Sequence, residues 1–358
     1  MDISTRQLNR TYLQRQSLLT PFPGTVPELV ARLVAVQAQE TDAPYVGLWT
    51  RMAMFRHEDL TAALAGRDVV RGSLLRITQH MTTGDDYRWL RPLIAQRIGK
   101  AGLSPFARDL AGIDLADLAA AAREILSGQV LTRPALARHL AERYPDRAKM
   151  PLAWAAQREL PLLHPPPTGV WRRRGHVACV LAEDWIGSLH EEPSVRTLVW
   201  RYLASCGPAS VADLQIWSGL RRLRAEVEAL RPELTVYRDE RGRELFDVPG
   251  LPIASGDEPA PVRFLPEFDN LVLSHDDRSR IISDEHRPRV FPGYSMVHAT
   301  FLVDGFVAGI WQIQGAEVRV TPFVPLASDE ADAVRSEADR LLSFLDLGPD
   351  GRVVFEVS

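Results

Sequence analysis

The sequence predicts a mainly α fold with an α+β C-terminal part: tandem winged helix-turn-helix units, two clear and a third at the N-terminus, then a C-terminal α+β domain. Three observations predict it. Residues 111–190 read as helix, helix, helix and hairpin. Residues 193–250 repeat that order about 80 residues later, the mark of an architectural repeat. A polar linker at 255–260 then separates these units from a strand-rich stretch.

The expected units are residues 1–105, 106–190, 191–254 and 261–358. In the first, helices are expected near 4–18, 25–38, 57–66 and 85–98, with strands at Val69-Val70 and from Leu74 to Gln79. Gly84-Asp85-Asp86 reads as a turn into the last helix. In the second, Asp114 caps a helix over Leu115–Leu126, and Gly128 lies just past its end. Thr132 and Pro134 open the next helix, Ala135–Tyr144, and Met150–Leu160 makes the third. Leu162–His164 and Val177–Leu181 are strands flanking the turn-rich Pro165–Gly169.

The third unit is punctuated in the same way. Val195–Ser205 stops at Cys206-Gly207, Ser210 and Asp213 cap a short helix through Trp217, and Leu220–Leu230 ends before Pro232. Thr235–Tyr237 and Leu245–Val248 form a hairpin around Asp239–Gly242. Beyond the linker, Arg263–Pro266 is a short strand. His298–Asp304, Phe306–Gln314 and Glu317–Pro322 form a meander, Ser328–Leu345 an acidic amphipathic helix and Arg352–Val357 a last strand.

Size and composition narrow the function. The 358 residues suffice for several domains, and 46% hydrophobic with 25% charged residues is ordinary for a globular protein. No apolar run reaches the length of a membrane span, and MDISTRQLNR lacks the apolar core of a signal peptide, so a cytoplasmic protein without a membrane partner is expected. Cys179 and Cys206 are far apart, which argues against a disulfide framework. The net charge is −4, but residues 1–100 carry 13 basic against 9 acidic side chains, and residues 301–358 carry 4 against 10. A nucleic-acid surface is therefore expected toward the N-terminal side or in local clusters. Lysine occurs only at Lys100 and Lys149, which leaves little room for Schiff-base chemistry.

One helix breaks its own pattern. Thr25 and Glu28 make a capping box for Glu28–Glu40, whose Leu29, Leu33 and Val36 share an apolar face. Gln37 falls on that same face, where an amide needs hydrogen-bond partners. Gln39 follows two residues on, roughly 200° around a helix. The two amides can serve one site only if the helix ends or distorts near Ala38, which Asp42-Ala43-Pro44 makes plausible. The other reading is a satisfied buried Gln37 beside a solvated Gln39.

Other candidates are basic clusters. Trp171-Arg172-Arg173-Arg174 is the densest, read either as a solvated hairpin tip or as a nucleic-acid contact with a stacking indole. Arg221, Arg222 and Arg224 open a recognition-helix candidate. Arg278, Arg280, Arg287 and Arg289 alternate with acids as a surface mosaic, followed by a tip at Phe291–Tyr294. Arg287, Arg289, Tyr294 and His298 complete the candidate DNA contacts. Asp269 is a turn cap or a catalytic carboxylate, and Asp42 a second carboxylate candidate. Nine scattered histidines without H-E-x-x-H spacing predict no metal, and no P-loop or G-x-S-x-G motif is present, so no cofactor is expected.

Gln37-Ala38-Gln39, the tandem winged helices, Leu265-Pro266-Glu267-Phe268-Asp269-Asn270 and the Val303-Asp304-Gly305 meander together resemble the AlkZ-like DNA glycosylases over essentially the whole chain. The resemblance implies a monofunctional glycosylase acting on N7-alkylated purines in double-stranded DNA, crosslinked ones included, as in azinomycin-type self-resistance. It implies Gln37 and Gln39 as the catalytic pair. A sister branch carries an acid at the second position, so Gln39 points to the crosslink-unhooking branch. A base tied to both strands cannot be flipped into a snug pocket, so an open basic cleft is expected, in a protein acting as a monomer. Two rivals remain: a winged-helix transcription regulator, and a non-catalytic binder of the crosslinking agent or its adduct.

Overall fold

The structure, a computed structural model, describes residues 1–98, 106–293 and 295–356. It opens with strand β1 (Asp2–Ile3) and helix α1 (Thr5–Arg15), whose Ser4 and Gln7 form a capping box. Then come α2 (Val26–Leu33), β2 (Val36–Gln37), α3 (Ala43–Trp49), α4 (His57–Ala65), β3 (Val69–Ser73), β4 (Gln79–Thr83) and α5 (Gly84–Ile98). The next group is α6 (Leu115–Leu126), β5 (Leu131–Thr132), α7 (Arg133–Arg143), α8 (Lys149–Glu159), β6 (Leu162–Leu163), β7 (Ala178–Leu181) and α9 (Ala182–Ile186). A third comprises α10 (Val195–Cys206), α11 (Val211–Ser218), α12 (Arg224–Leu230), β8 (Thr235–Asp239) and β9 (Glu244–Asp247).

The three groups share one plan. Each runs helix, short extended segment, helix, helix, hairpin, and the extended segment pairs with the second hairpin strand. That pairing is β2 with β4, β5 with β7, and a single bridge from Ala209 to Phe246 on β9. The first two hairpins join into one six-stranded sheet of order β2-β4-β3-β6-β7-β5. They meet where Gly72 pairs with Leu163. A Cβ on Gly72 would lie 2.8 Å from the Tyr87 ring and 3.0 Å from the Leu162 carbonyl, so only glycine lets the strands approach.

The C-terminal part holds β10 (Arg263–Leu265), α13 (Asn270–Leu273), α14 (Arg287–Val290), β11 (Thr300–Val303), β12 (Phe306–Gln314), β13 (Glu317–Pro322), α15 (Ser328–Leu345) and β14 (Arg352–Phe355). Its five strands form one sheet in the order β10 to β14, with β14 parallel to β13. Val334, Ala338, Leu341 and Leu345 of α15 pack on that sheet with Phe301 and Trp311.

Several expectations shift. The Leu74–Gln79 stretch is a tight turn over Leu75–Ile77 and not a strand; the strand is β4, from Gln79 onward. The helix expected over Leu220–Leu230 begins only at Arg224, after a left-handed Arg222. Helix α1 packs on α10 of the third group, where Arg15 pairs with Asp247 and Gln16 with Ser205, and β1 runs parallel to β8. Arg280 is buried against the Pro208 carbonyl, so the expected surface mosaic is partly interior. Val357 and Tyr294 lie outside the described residues. No helix among those described is long and apolar enough to cross a membrane.

Candidate active site

The helix expected over 25–38 ends five residues early. Its capping box forms, with Thr25 N and Oγ1 both on Glu28 Oε2. Val34, however, adopts φ 68°, a left-handed geometry rare for a β-branched residue. Tertiary partners hold the break. Thr82 donates to the Val34 carbonyl at 2.6 Å, and Asn270 Nδ2 donates to the Ala35 carbonyl. From there the chain is extended. Gln37 pairs with His80 across β4, Ala38 N donates to the Gln79 carbonyl at 2.8 Å, and Arg71 donates to the Ala38 carbonyl.

This resolves the conflict between the two amides. In an extended chain residues two apart point to the same side. Gln37 and Gln39 line one cleft of about 1290 Å³ with Thr41, Thr78 and Gln79. Gln37 sits at its floor and is 6% exposed. Its Nε2 donates to Thr78 Oγ1 at 3.1 Å, and its Oε1 accepts from Arg76 Nη2 at 3.0 Å. Gln39 is exposed, and its Oε1 lies 3.4 Å from the Gln79 N–H, a weak tether. One amide is held and the other is free to reach.

The cleft has both cationic and apolar lining. Arg71, Arg76, Arg133 and Arg158 line it, together with Phe268, Leu273, Phe291, Met296 and Val297. Burial pushes Arg71 and Arg76 down to about 10, with Arg133 and Arg278 adding to the respective shifts, and both stay protonated at neutral pH. Trp154, 38% exposed, stands under the Arg133 guanidinium at 4.2 Å. Such a lining suits phosphate oxygens and base faces. None of the acidic residues of α15 lines the cleft.

Other sequence candidates lie elsewhere. Trp171 packs its ring against Tyr45, His57 and Phe344, at 5.3, 4.3 and 5.7 Å between centroids. Arg172 donates to the Leu345 and Asp346 carbonyls at the end of α15, and its backbone N–H reaches Asp42 Oδ1 at 2.9 Å. Arg174 pairs with Asp42 at 2.8 Å, while Arg173 is exposed. Most of the basic loop thus clasps the first group to the C-terminal part, and Asp42 belongs to that clasp. Arg289 donates to the Phe323 carbonyl at 3.0 Å and stacks on its ring; Arg287 is exposed and His298 half-buried. Asp269 is the cap that its context suggested. It accepts Leu271 N at 2.8 Å and both terminal nitrogens of Arg51 at 2.7 and 2.9 Å, deep in the core.

Sequence reasoning missed Arg71, Arg76, Arg133 and Trp154. Arg76 sits in a stretch read as strand and Trp154 in one read as helix, Arg71 and Arg133 fall just outside such stretches, and the fold brings the four together. Among the described residues no group of three His, Cys, Asp or Glu could hold a metal.

Residues 30–344 match the family described as DNA glycosylase AlkZ-like. The chain is an AlkZ-like DNA glycosylase. This glycosylase is 25% identical over 369 residues to a Streptomyces sahachiroi protein named interstrand DNA cross-link repair glycosylase, covering 94% of this chain and 95% of that one. Its fold matches the solved Streptomyces sahachiroi DNA glycosylase AlkZ with a TM-score of 0.82 at 24% identity, covering both chains completely.

Proposed function

We propose that this DNA glycosylase hydrolyses the N-glycosidic bond of N7-alkylated purines, interstrand crosslinks included, with Gln37 and Gln39 as its catalytic pair. The observation that carries the reading is the convergence of both amides on one wide cationic cleft. The three repeated groups serve as winged helices that hold the duplex around it. The curated relative's name supports crosslink repair.

The chemistry accounts for the residue types. N7 alkylation makes the purine cationic, so it leaves without a strong general acid. What remains is to stabilise an oxocarbenium-like sugar and to place a water. An amide oxygen does both as a fixed dipole, with one lone pair for a protein donor and one for the reacting partner. Gln37 supplies the fixed dipole, and Gln39, exposed, closes on the water. The cationic lining binds the flanking phosphates and offsets the repulsion of a positively charged base. A crosslinked base stays tied to the opposite strand, and a wide cleft accommodates both strands where a snug pocket cannot. No lysine among the described residues lines the cleft, which supports an abasic-site product without strand nicking.

The test is a duplex with one N7-methylguanine, then one with an interstrand crosslink, given to wild type, Gln37→Ala and Gln39→Ala at equal folded fraction. Release falls about 10²–10³-fold in each variant, the usual cost of one preorganised dipole. Release that survives both changes moves the chemistry elsewhere. A protein–DNA adduct trapped by borohydride overturns the monofunctional mechanism.

A further inference from the structure

We infer that Arg76 is a positioning residue of the glycosylase, holding the Gln37 amide in the one orientation that presents a free oxygen lone pair to the cleft. The inference rests on the reading of Gln37 as catalytic.

The first observation is strain. Arg76 has φ 53° and its neighbour Ile77 φ 60°. Two consecutive left-handed residues without glycine are unusual, and isoleucine is among the least suited to that region. Surrounding contacts must hold such a turn, and strain of this kind concentrates where geometry is functional.

The second observation is what the turn accomplishes. It delivers one guanidinium to three acceptors from different parts of the fold. Nη1 donates to the Trp217 carbonyl near the end of α11 in the third group. Nη2 donates to Gln37 Oε1 at 3.0 Å and lies 3.4 Å from His80 Nε2. His80 Nδ1 is 3.0 Å from the Thr78 carbonyl, so that nitrogen carries the proton and Nε2 offers a lone pair to Arg76. Burial and the Arg76 charge push the His80 imidazole down to about 3, which keeps it in that neutral form.

The third observation is the close approach that makes this possible. Gly219 follows α11 at φ 76°, and a Cβ there would lie 2.9 Å from Arg76 Cα and 3.0 Å from its backbone nitrogen. The third group therefore abuts the strained turn of the first directly, backbone to backbone.

The consequence for Gln37 is chemical. A guanidinium only donates, so the Gln37 oxygen must face it, and Nε2 must face Thr78 Oγ1. The amide cannot flip. The Thr78 hydroxyl lies 3.4 Å from Oε1, but its one proton has the nearer Leu75 carbonyl at 3.1 Å, so Arg76 takes one lone pair of Oε1 and the other is left for water or the developing sugar cation. Without Arg76 both amide rotamers compete, and the flipped one turns a donor toward the cation. Arg76 thus also links catalysis to correct docking of the third group.

The experiment is a double-mutant cycle on single-turnover release of N7-methylguanine and on affinity for the same duplex. It compares wild type, Arg76→Gln, Arg76→Lys, Gln37→Ala and Arg76→Gln/Gln37→Ala at equal folded fraction. Arg76→Gln lowers the rate about 10–100-fold with affinity changed by less than about threefold. Arg76→Lys, which keeps the charge and the fold but cannot span three acceptors, recovers only part of the rate. In the Gln37→Ala background Arg76→Gln has no further effect. A double variant slower than Gln37→Ala by the full single-variant factor, or full rescue by lysine, overturns the inference and makes Arg76 a charge acting on DNA. A wild-type rate in Gln37→Ala overturns the reading of Gln37 as catalytic, and the inference with it.

Discussion

Asp269 offers the sharpest separation between a structural and a catalytic carboxylate. Replacing it with asparagine keeps the helix cap, because an Asn oxygen still accepts the Leu271 N–H. What is lost is the pair with Arg51. The carboxylate takes both terminal nitrogens of Arg51 at 2.7 and 2.9 Å, with the two side chains only 3% and 4% exposed. After Asp269→Asn an NH₂ group faces an N–H of a buried guanidinium, donor against donor. Arg51 keeps the Gly47 carbonyl at 2.9 Å and the capping oxygen at 2.7 Å, but loses its second bond and the charge that balances it. Removing one partner of a buried ion pair costs about 3–5 kcal/mol. Unfolding entropy of ~2.1 cal/mol/K per residue gives about 0.75 kcal/mol per degree for 358 residues melting together. The midpoint therefore falls by roughly 4–7 °C. Base release, measured at 25 °C on the folded fraction, stays within about threefold of wild type, because the proposed catalytic pair is Gln37 and Gln39. An unchanged midpoint with release reduced a thousandfold would refute this reasoning and make Asp269 the base that activates water.

Four further predictions concern pH and the basic loop. The release rate varies by less than about threefold between pH 6 and 8.5, since neither glutamine titrates, and a limb in that range would point to a carboxylate or histidine instead. Stability, in contrast, falls on the acid side. Burial pushes His80 and His164 down to about 3, so below the ordinary value of about 6.5 the unfolded chain binds protons that the folded chain refuses. The two groups together remove about 3 kcal/mol between pH 7.5 and 5.5, read from urea midpoints at the two pH values. For the basic loop, Trp171→Ala costs roughly 2–3 kcal/mol in a melt. Arg172→Ala leaves the salt dependence of duplex affinity unchanged; a slope reduced by about one would place that guanidinium on a phosphate.

The repeat was legible because its punctuation is local. Ser210 with Asp213, Asp114 and Thr132 each cap a helix through side chains within three residues, and such signals survive in the bare sequence. The end of α2 was not legible. Val34 carries no helix-stop chemistry, and its left-handed turn exists because Thr82 and Asn270, far along the chain, take up the freed carbonyls. Arg76 was hidden for a related reason. Leu-Leu-Arg-Ile-Thr has strand composition, and only tertiary contacts hold it as a strained turn. The basic loop was misleading in the opposite sense. Arginine beside tryptophan reads as a nucleic-acid tip, but the end of α15 supplies the carbonyls and the Phe344 ring that receive both.

The position of β2 in its sheet connects these points. The six-stranded order places β2 and β5 at the two edges, with the paired hairpins between them. An edge strand has one unpaired side, which usually invites aggregation and is blunted by covering or by its brevity. Here β2 is two residues long and ends at the cleft, so the exposed edge is short and polar. A strand edge is also stiffer than a loop. Gln37 sits on that edge and Gln39 just past its end, tethered to the Gln79 N–H, so both amides emerge into the same cleft. The corresponding strand of the second group, β5, carries Leu131 and Thr132, and the third group keeps only the bridge at Ala209. On the proposed reading, one repeated scaffold presents its chemistry at one edge. The other groups supply what that edge lacks: Arg133 on the wall of the cleft, and the Trp217 carbonyl that anchors Arg76. It follows that a single group excised from this chain would lack the side chains and carbonyls that the proposed site draws from the other two.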